Sequence, residues 1–285
     1  MSIFQSHAVI KMLLKVQAII FWALMLGLTG QQAQAQRLNH VNMARMVEMS
    51  YALPKPCRWG KWVCAPLKNK DSMLGAIFYQ SLDLSQVIIV VRGAVEAEDW
   101  GINGWVQPEA YVTENGALIH AHKGFYTRAL SVADALKEMI EHLALKKSDL
   151  FFIGHSQGGA IASVLATFWV QEGFPVKELV TLGSPYAGDL AFNEALAKKV
   201  PVQSHYVIVN DPSSHVINWI VDFLALGQNA QVKAELKNSH FLPYDPLIKL
   251  VSFACPQEAL MGNGFSASKL FSHGIDCYIK ALNGQ

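Results

Sequence analysis

Charge is scarce in this chain of 285 residues. Lysine and arginine total 23 against 22 acids, a formal net charge of +1, and charged residues make up 16% of the sequence. No polybasic cluster breaks that balance, so the electrostatic footprint needed to bind a nucleic-acid backbone is missing, and no nucleic-acid partner is expected. Internal repeats, low-complexity tracts and an obvious linker are missing too, which favours one large domain over two small ones. Cysteines number only four, and none stands at a Cys-His spacing that suggests zinc. His120 and His122 alternate as two imidazoles on one strand face would, yet no third ligand lies nearby, so no metal is expected. Nothing in the sequence implies a cofactor.

The first 35 residues contain no acid at all. Lys11 and Lys15 precede the apolar stretch from Val16 to Gly30, and Ala33-Gln34-Ala35 follows as a small-residue cleavage signal. This is the pattern of a secretory signal peptide over residues 1–35. The apolar run is shorter than the roughly 20 residues a spanning helix needs, so no transmembrane helix is expected in the mature chain, a single domain over 36–285. Removing 35 residues leaves 250 and takes away two lysines, turning the formal charge from +1 to −1. Export, to a periplasm or out of the cell, would let the cysteines oxidise. Of the three possible pairings, Cys57 with Cys64, closing the loop CRWGKWVC, and Cys255 with Cys277, bracketing the C-terminal segment, are expected.

Apolar residues, by contrast, are plentiful at 52%. Their periodicity predicts a helix over 41–49, strands over 75–79 and 87–92, then a long loop and a helix over 126–143. After these come a strand at 150–153, a helix over 160–172, a strand at 179–182, a helix over 190–198 and a strand at 204–209. Alternation of strands and helices implies a mostly parallel, doubly wound α/β sheet with helices on both faces. Functional groups then belong at the carboxyl ends of the strands.

The stretch FFIGHSQGGA, Phe151 to Ala160, stands out in that frame. Glycine two residues before and two after Ser156 removes the Cβ atoms that a sharp turn would bring into collision. Gly154 and Gly158 thus mark a nucleophile elbow, the strand-turn-helix device of the α/β-hydrolase fold. The amide of Gln157 at the helix N-terminus would face an anion forming beside Ser156. A serine nucleophile needs a base and an acid, in the chain order serine, acid, histidine. Asp211 in HYVIVNDPSSHV follows a strand directly and suits the acid; Asp189 in SPYAGDL is better placed to cap the helix after it.

With these residues in hand, the chain resembles the fungal-type, class three lipases. IIVVRGAVEAEDW (Ile88 to Trp100) is similar to that family's strand, Arg-Gly turn and Asp-Trp segment, and HAHKGF (His120 to Phe125) to its His-x-Gly-Phe. IGHSQGGA, TLGSPYAGD and YVIVNDPSSHV resemble its nucleophile, Gly-Ser-Pro and acid segments, in the same order. The resemblance implies an exported serine hydrolase acting on carboxylic esters of lipids, of triacylglycerol lipase or phospholipase type, through an acyl-enzyme. Its substrate would be met at a lipid-water interface; acyltransferase and short-chain esterase activities remain open beside it. It also implies that the second oxyanion amide comes from Ala94, where the family usually has serine or threonine. That departure opens a second reading, a catalytically weak or inactive protein of lipase fold that binds lipid or a partner. His155 is implied to be a structural neighbour of the elbow. Trp100, Ile102 and Trp105 lie where the family places its lid, and the bland reading of them is aromatic anchoring of a loop. HVINWIVDFLALG, His215 to Gly227, is read as a buried helix in preference to a lipid contact.

Three histidines follow Asp211. His215 lies only four residues past the acid and is a poor candidate, whereas His240, followed by Pro243 and Pro246, sits in a loop that geometry does not dismiss. His273, in FSHGIDCYIKAL, precedes an apolar pattern that reads as a final helix able to hold its loop over the strand ends. His273 is therefore the expected base, and Tyr278 five residues on matches members of the family. Peptide mapping of purified protein without reduction should find Gln36 at the mature N-terminus, Cys57 linked to Cys64 and Cys255 linked to Cys277. Free thiols or crossed pairs would refute that framework.

Overall fold

The structure, a computed structural model, describes residues 38–53, 55–68, 72–80, 82, 84–95, 97–103, 105, 107–112, 118–145, 148–208, 211, 249–253 and 273–284. The unit from His40 onward holds every element described below. The elements are α1 (His40–Ser50), β1 (Cys57–Trp59), β2 (Trp62–Lys68), β3 (Met73–Gln80), β4 (Gln86–Val91), α2 (Ala97–Asn103), β5 (Pro108–Val112) and β6 (Leu118–His122). They continue with α3 (Lys123–His142), β7 (Asp149–His155), α4 (Gln157–Gln171), β8 (Val176–Leu182), α5 (Leu190–Lys199), β9 (Gln203–Ile208), β10 (Lys249–Phe253) and α6 (Ile275–Asn283).

Among the described residues the main sheet has eight strands in the order β1-β2-β3-β4-β7-β8-β9-β10, and β5 and β6 form a separate hairpin. β1 to β4 pair antiparallel, whereas β4, β7, β8, β9 and β10 run parallel. Parallel strands covered on both faces read as continuous apolar runs, and every residue from Leu150 to His155 of β7 is buried. Alternate positions serve two layers. Ile77, Val87, Ile89, Leu150, Phe152 and Leu179 share one cluster with Val132, Leu136 and Ile140 of α3 and Val164 and Leu165 of α4. Phe78, Ile88, Val90, Ile153 and Val180 are equally buried but lie outside that cluster. They belong to the side on which α1 packs against β3, β4 and β7 and, at its flank, against α6.

Three features differ from the sequence expectation. The long loop after Arg92 contains the short helix α2 and the β5–β6 hairpin; α2 has only seven residues and a glycine inside it, too little for a helical period to show. Helix α4 begins at Gln157, not Ala160, because the two glycines that lower helix propensity are retained for close contacts described below. The loop CRWGKWVC is a hairpin. Its turn at Gly60 has φ of +56°, Trp59 pairs with Trp62, and Cys57 pairs directly with Cys64, to which it is disulfide-bonded. Pro66 disguised β2 in the sequence, since proline is confined to strand edges. It is tolerated because β1 stops at the Cys57–Cys64 pair and, among the described residues, leaves that part of β2 without a strand neighbour on one side. Cys277 is also disulfide-bonded, and Cys255, its expected partner, lies outside the described residues, as do the segment from His215 to Gly227 and His240.

Candidate active site

Ser156 stands between the end of β7 and the start of α4 with φ 56° and ψ −136°, a backbone conformation costly for any residue with a Cβ. The surrounding glycines make it attainable. A Cβ on Gly154 would stand 2.1 Å from the Gly158 carbonyl oxygen, and one on Gly158 would stand 2.3 Å from the oxygen of Val91. Both contacts are with backbone, which cannot give way. The Ser156 amide donates to Leu182 O at 2.8 Å, tying the turn to the end of β8.

The turn after β4 lies against Ser156. A Cβ on Gly93 would come within 2.9 Å of the Ser156 Cβ and 2.6 Å of the Tyr51 hydroxyl. This turn is fixed by a buried ion cluster that sequence reasoning missed, although Arg92 and Asp99 lie in the segment IIVVRGAVEAEDW. Asp99, 2% exposed, accepts the Val95 amide at 3.1 Å and pairs with Arg92 at 3.2 Å and with Arg128. Arg92 also donates to Met73 O at 2.8 Å. Buried charges at such distances persist only when each is paired and hydrogen-bonded. The Ala94 amide donates no hydrogen bond within the described residues, and the Gln157 amide, at the first position of α4, has no acceptor inside the helix. The Gln157 side chain is spent elsewhere, donating to Asp99 O at 2.6 Å and to Asn103 Oδ1 at 3.0 Å. Among the described residues the backbone amides of Ala94 and Gln157 thus have no acceptor.

Asp211 and His273 are brought together by elements 62 positions apart: Asp211 just past β9, His273 just before α6. His273 Nδ1 lies 2.9 Å from Asp211 Oδ2, and the Tyr278 hydroxyl donates to the same oxygen at 2.5 Å. Tyr278 is fully buried; burial and the Asp211 charge push its hydroxyl well above its ordinary range, so it stays protonated and serves as a donor. Gly183, with φ of +56°, allows this cluster to close on the end of β8, since a Cβ there would meet Tyr278 Oη at 2.5 Å and Asp211 Oδ2 at 2.7 Å. With Nδ1 committed to the carboxylate, Nε2 is the ring nitrogen of His273 left for proton transfer.

Around this core, Ile102 packs on the main cluster with its carbonyl 2.1 Å from where a Gly124 Cβ would stand. Trp105 is 48% exposed and Val95, next to Ala94, is 55% exposed; the Trp100 side chain lies outside the described set. His120 pairs with Asp189 at 2.8 Å, and Asp189 caps α5 by accepting the Phe192 amide. His122 is buried and receives the Phe125 amide at the head of α3.

Three histidines are held neutral inside the fold. Burial lowers His122 to about 4 and His205 to about 4, and burial together with the neighbouring His273 lowers His155 to about 3. The unfolded chain takes up these protons near pH 6.5, the folded chain only near 3 to 4. Stability from these groups is fully present above about pH 6.5 and lost progressively as pH falls toward the folded values. Urea-unfolding midpoints should therefore fall between pH 7 and about pH 4.5, and a midpoint unchanged over that interval would show that these histidines charge freely in the folded state.

Comparison with known proteins sets this geometry in context. Residues 88–219 match the family of class 3 lipases, a span that includes Ser156 and Asp211 and ends before His273. The chain is similar to secreted mono- and diacylglycerol lipase A of Penicillium cyclopium, 31% identical over 136 residues, covering 45% of this chain and 42% of that protein. It is similar to secreted mono- and diacylglycerol lipase 1 of Fusarium solani, 25% identical over 189 residues, covering 61% of this chain and 55% of that protein. The chain thus spans about half the length, or less, of these curated relatives. The fold resembles the crystal structure of M37 lipase with a TM-score of 0.56 at 10% identity, covering 88% of this chain and 89% of that one; the shared architecture is the α/β-hydrolase fold.

Proposed function

We propose that the chain, whose residues 88–219 match the class 3 lipase family, is a member of that family and an exported serine hydrolase cleaving carboxylic esters of lipids through an acyl-enzyme on Ser156. The observation that carries the reading is the Asp211–His273 pair, 2.9 Å apart, with the His273 ring stacked on His155, the neighbour of a serine held at positive φ. Ser156 Oγ attacks the ester carbonyl while His273 Nε2 takes its proton. The carbonyl oxygen becomes an oxyanion held by the amides of Ala94 and Gln157. Collapse expels the alcohol, which leaves with the proton from His273. Water then repeats the sequence and releases the carboxylic acid. Asp211 fixes the tautomer of His273 and stabilises its transient charge.

Lipid substrates are favoured by the names of the relatives, which act on mono- and diacylglycerols, and by the exposed Val95 and Trp105 near the oxyanion turn. Within the segment from Trp100 to Trp105, Ile102 anchors and the exposed Trp105 supplies the lipid-facing surface. Export is supported by the signal-like residues 1–35, the Cys57–Cys64 disulfide and the secreted relatives, and it would make residues 36–285 the working domain. One observation favours a second reading: Ala94 offers no hydroxyl. Loss of an oxyanion donor costs about 10² to 10³ in rate, so a protein that binds lipid esters and turns them over feebly has the same fold.

Fluorophosphonate labelling separates the two. A working site reacts covalently, and His273→Ala abolishes both labelling and ester hydrolysis while the protein stays folded; His240→Ala and His215→Ala keep most of the activity. Should His240→Ala be silent and His273→Ala active, the triad is assigned wrongly. In the same assay, Trp105→Ala flattens the rise in rate as a substrate passes from monomer to aggregate and spares a soluble short-chain ester. A rise of full height in that variant removes Trp105 from the lipid-facing surface.

A further inference from the structure

Tyr51, one residue past α1, is remote in sequence from every group named above, yet its hydroxyl touches two of them. The Gly93 amide of the oxyanion turn donates to Tyr51 Oη at 2.8 Å. The same oxygen lies 2.7 Å from His155 Nδ1, and His155 Nε2 lies 2.7 Å from the backbone oxygen of His273. The direction of every bond in this line is forced. A carbonyl oxygen only accepts, so His155 Nε2 must carry a proton. His155 is buried and held neutral, so its one ring proton is on Nε2 and Nδ1 must accept. Tyr51, whose hydroxyl burial pushes up to about 12, keeps its proton and donates it to Nδ1, while its lone pair receives the Gly93 amide. The line runs one way, from Gly93 N–H through Tyr51 and His155 to the His273 carbonyl, and bonds in such a series polarise one another in the same sense.

We propose that Tyr51 is a positioning residue that couples the oxyanion turn to the loop of the catalytic base, acting through the Nε2–H tautomer of His155. This rests on the serine-hydrolase reading above. Its two ends are the two parts of the site that come from distant segments, the turn after β4 and the loop before α6. His155 also stacks on the His273 ring, with centroids 4.8 Å apart and planes 26° from parallel. A neutral His155 adds no charge against the imidazolium that forms there during the reaction. The Gly93–Ala94 turn has no side-chain hydroxyl of its own to fix its orientation, so the Tyr51 bond bears directly on where the Ala94 amide points. Because the bond orients a transition-state donor and touches no substrate, its loss falls on kcat and leaves KM in place.

The test uses the full-length mature protein and two readouts. Nitrogen NMR of histidine-labelled wild type at neutral pH should show His155 as a single neutral tautomer with the proton on Nε2; a proton on Nδ1, or a charged ring, overturns the inference whatever the protein hydrolyses. With a soluble p-nitrophenyl ester, Tyr51→Phe should lower kcat about 10- to 100-fold, with KM unchanged and fluorophosphonate labelling slowed by a similar factor. Combining Tyr51→Phe with His155→Asn should cost little more than the worse single change, since both break one line. Wild-type kcat and labelling in Tyr51→Phe, or a loss confined to KM, refutes the positioning role while leaving the hydrolase intact. A wild type that neither labels nor hydrolyses any ester shows instead that the hydrolase reading itself has failed.

Discussion

The site depends on a backbone-to-backbone approach at the end of β7. Ser156 holds a positive φ that costs on the order of 1–3 kcal/mol, and it holds it because the carbonyls of Gly158, Val91 and Arg92 stand where side-chain atoms would otherwise be. The strand beneath, buried from Leu150 to His155, and the buried first turn of α4 above over-determine that geometry. From it follow the direction of the α4 N-terminus, the burial of His155 and the distance at which the β4 turn can lie. Under the proposed reaction, backbone donors fixed around such a turn would need no reorganisation as charge develops.

Polar groups are then arranged around that turn in two clusters joined by a bridge. On one side Asp99, Arg92 and Arg128 fix the turn after β4; on the other Asp211 and Tyr278 hold the ring of His273. Both use buried acids, which is tolerable only because each carboxylate has at least two donors. In a chain with 16% charged residues, placing several of them inside the fold is a concentrated use of charge. The interior histidines follow the opposite rule, for His122, His155 and His205 are kept neutral by burial and act as fixed hydrogen-bonding groups.

Much of this was legible in the sequence because it is local. Gly154, Ser156 and Gly158 lie within five residues, and the steric reason for the glycines can be stated without coordinates. The apolar runs of β4, β7 and β8 announce a parallel sheet for the same reason. The edge of the sheet was not legible: Pro66 and the short β1 hide a hairpin that only its pairing with β3 makes a strand. Long-range partners were hidden as well. Tyr51 stands 104 positions from His155, and nothing in SYALPKPC signals that its hydroxyl is buried against the oxyanion turn. Asp99 lay inside a recognisable segment, but its service to the Val95 amide is a matter of three dimensions. Gly183 carried a signal that could have been read, a glycine at the end of a buried strand, where a positive φ admits a neighbouring cluster.

The most direct test of the whole account is a crystal structure of the mature protein after inhibition by a fluorophosphonate. The account predicts phosphorus bonded to Ser156 Oγ, the phosphoryl oxygen within about 2.7 to 3.1 Å of the amide nitrogens of Ala94 and Gln157, and His273 still bound through Nδ1 to Asp211. An adduct on another residue, or a phosphoryl oxygen turned away from both amides, would contradict it.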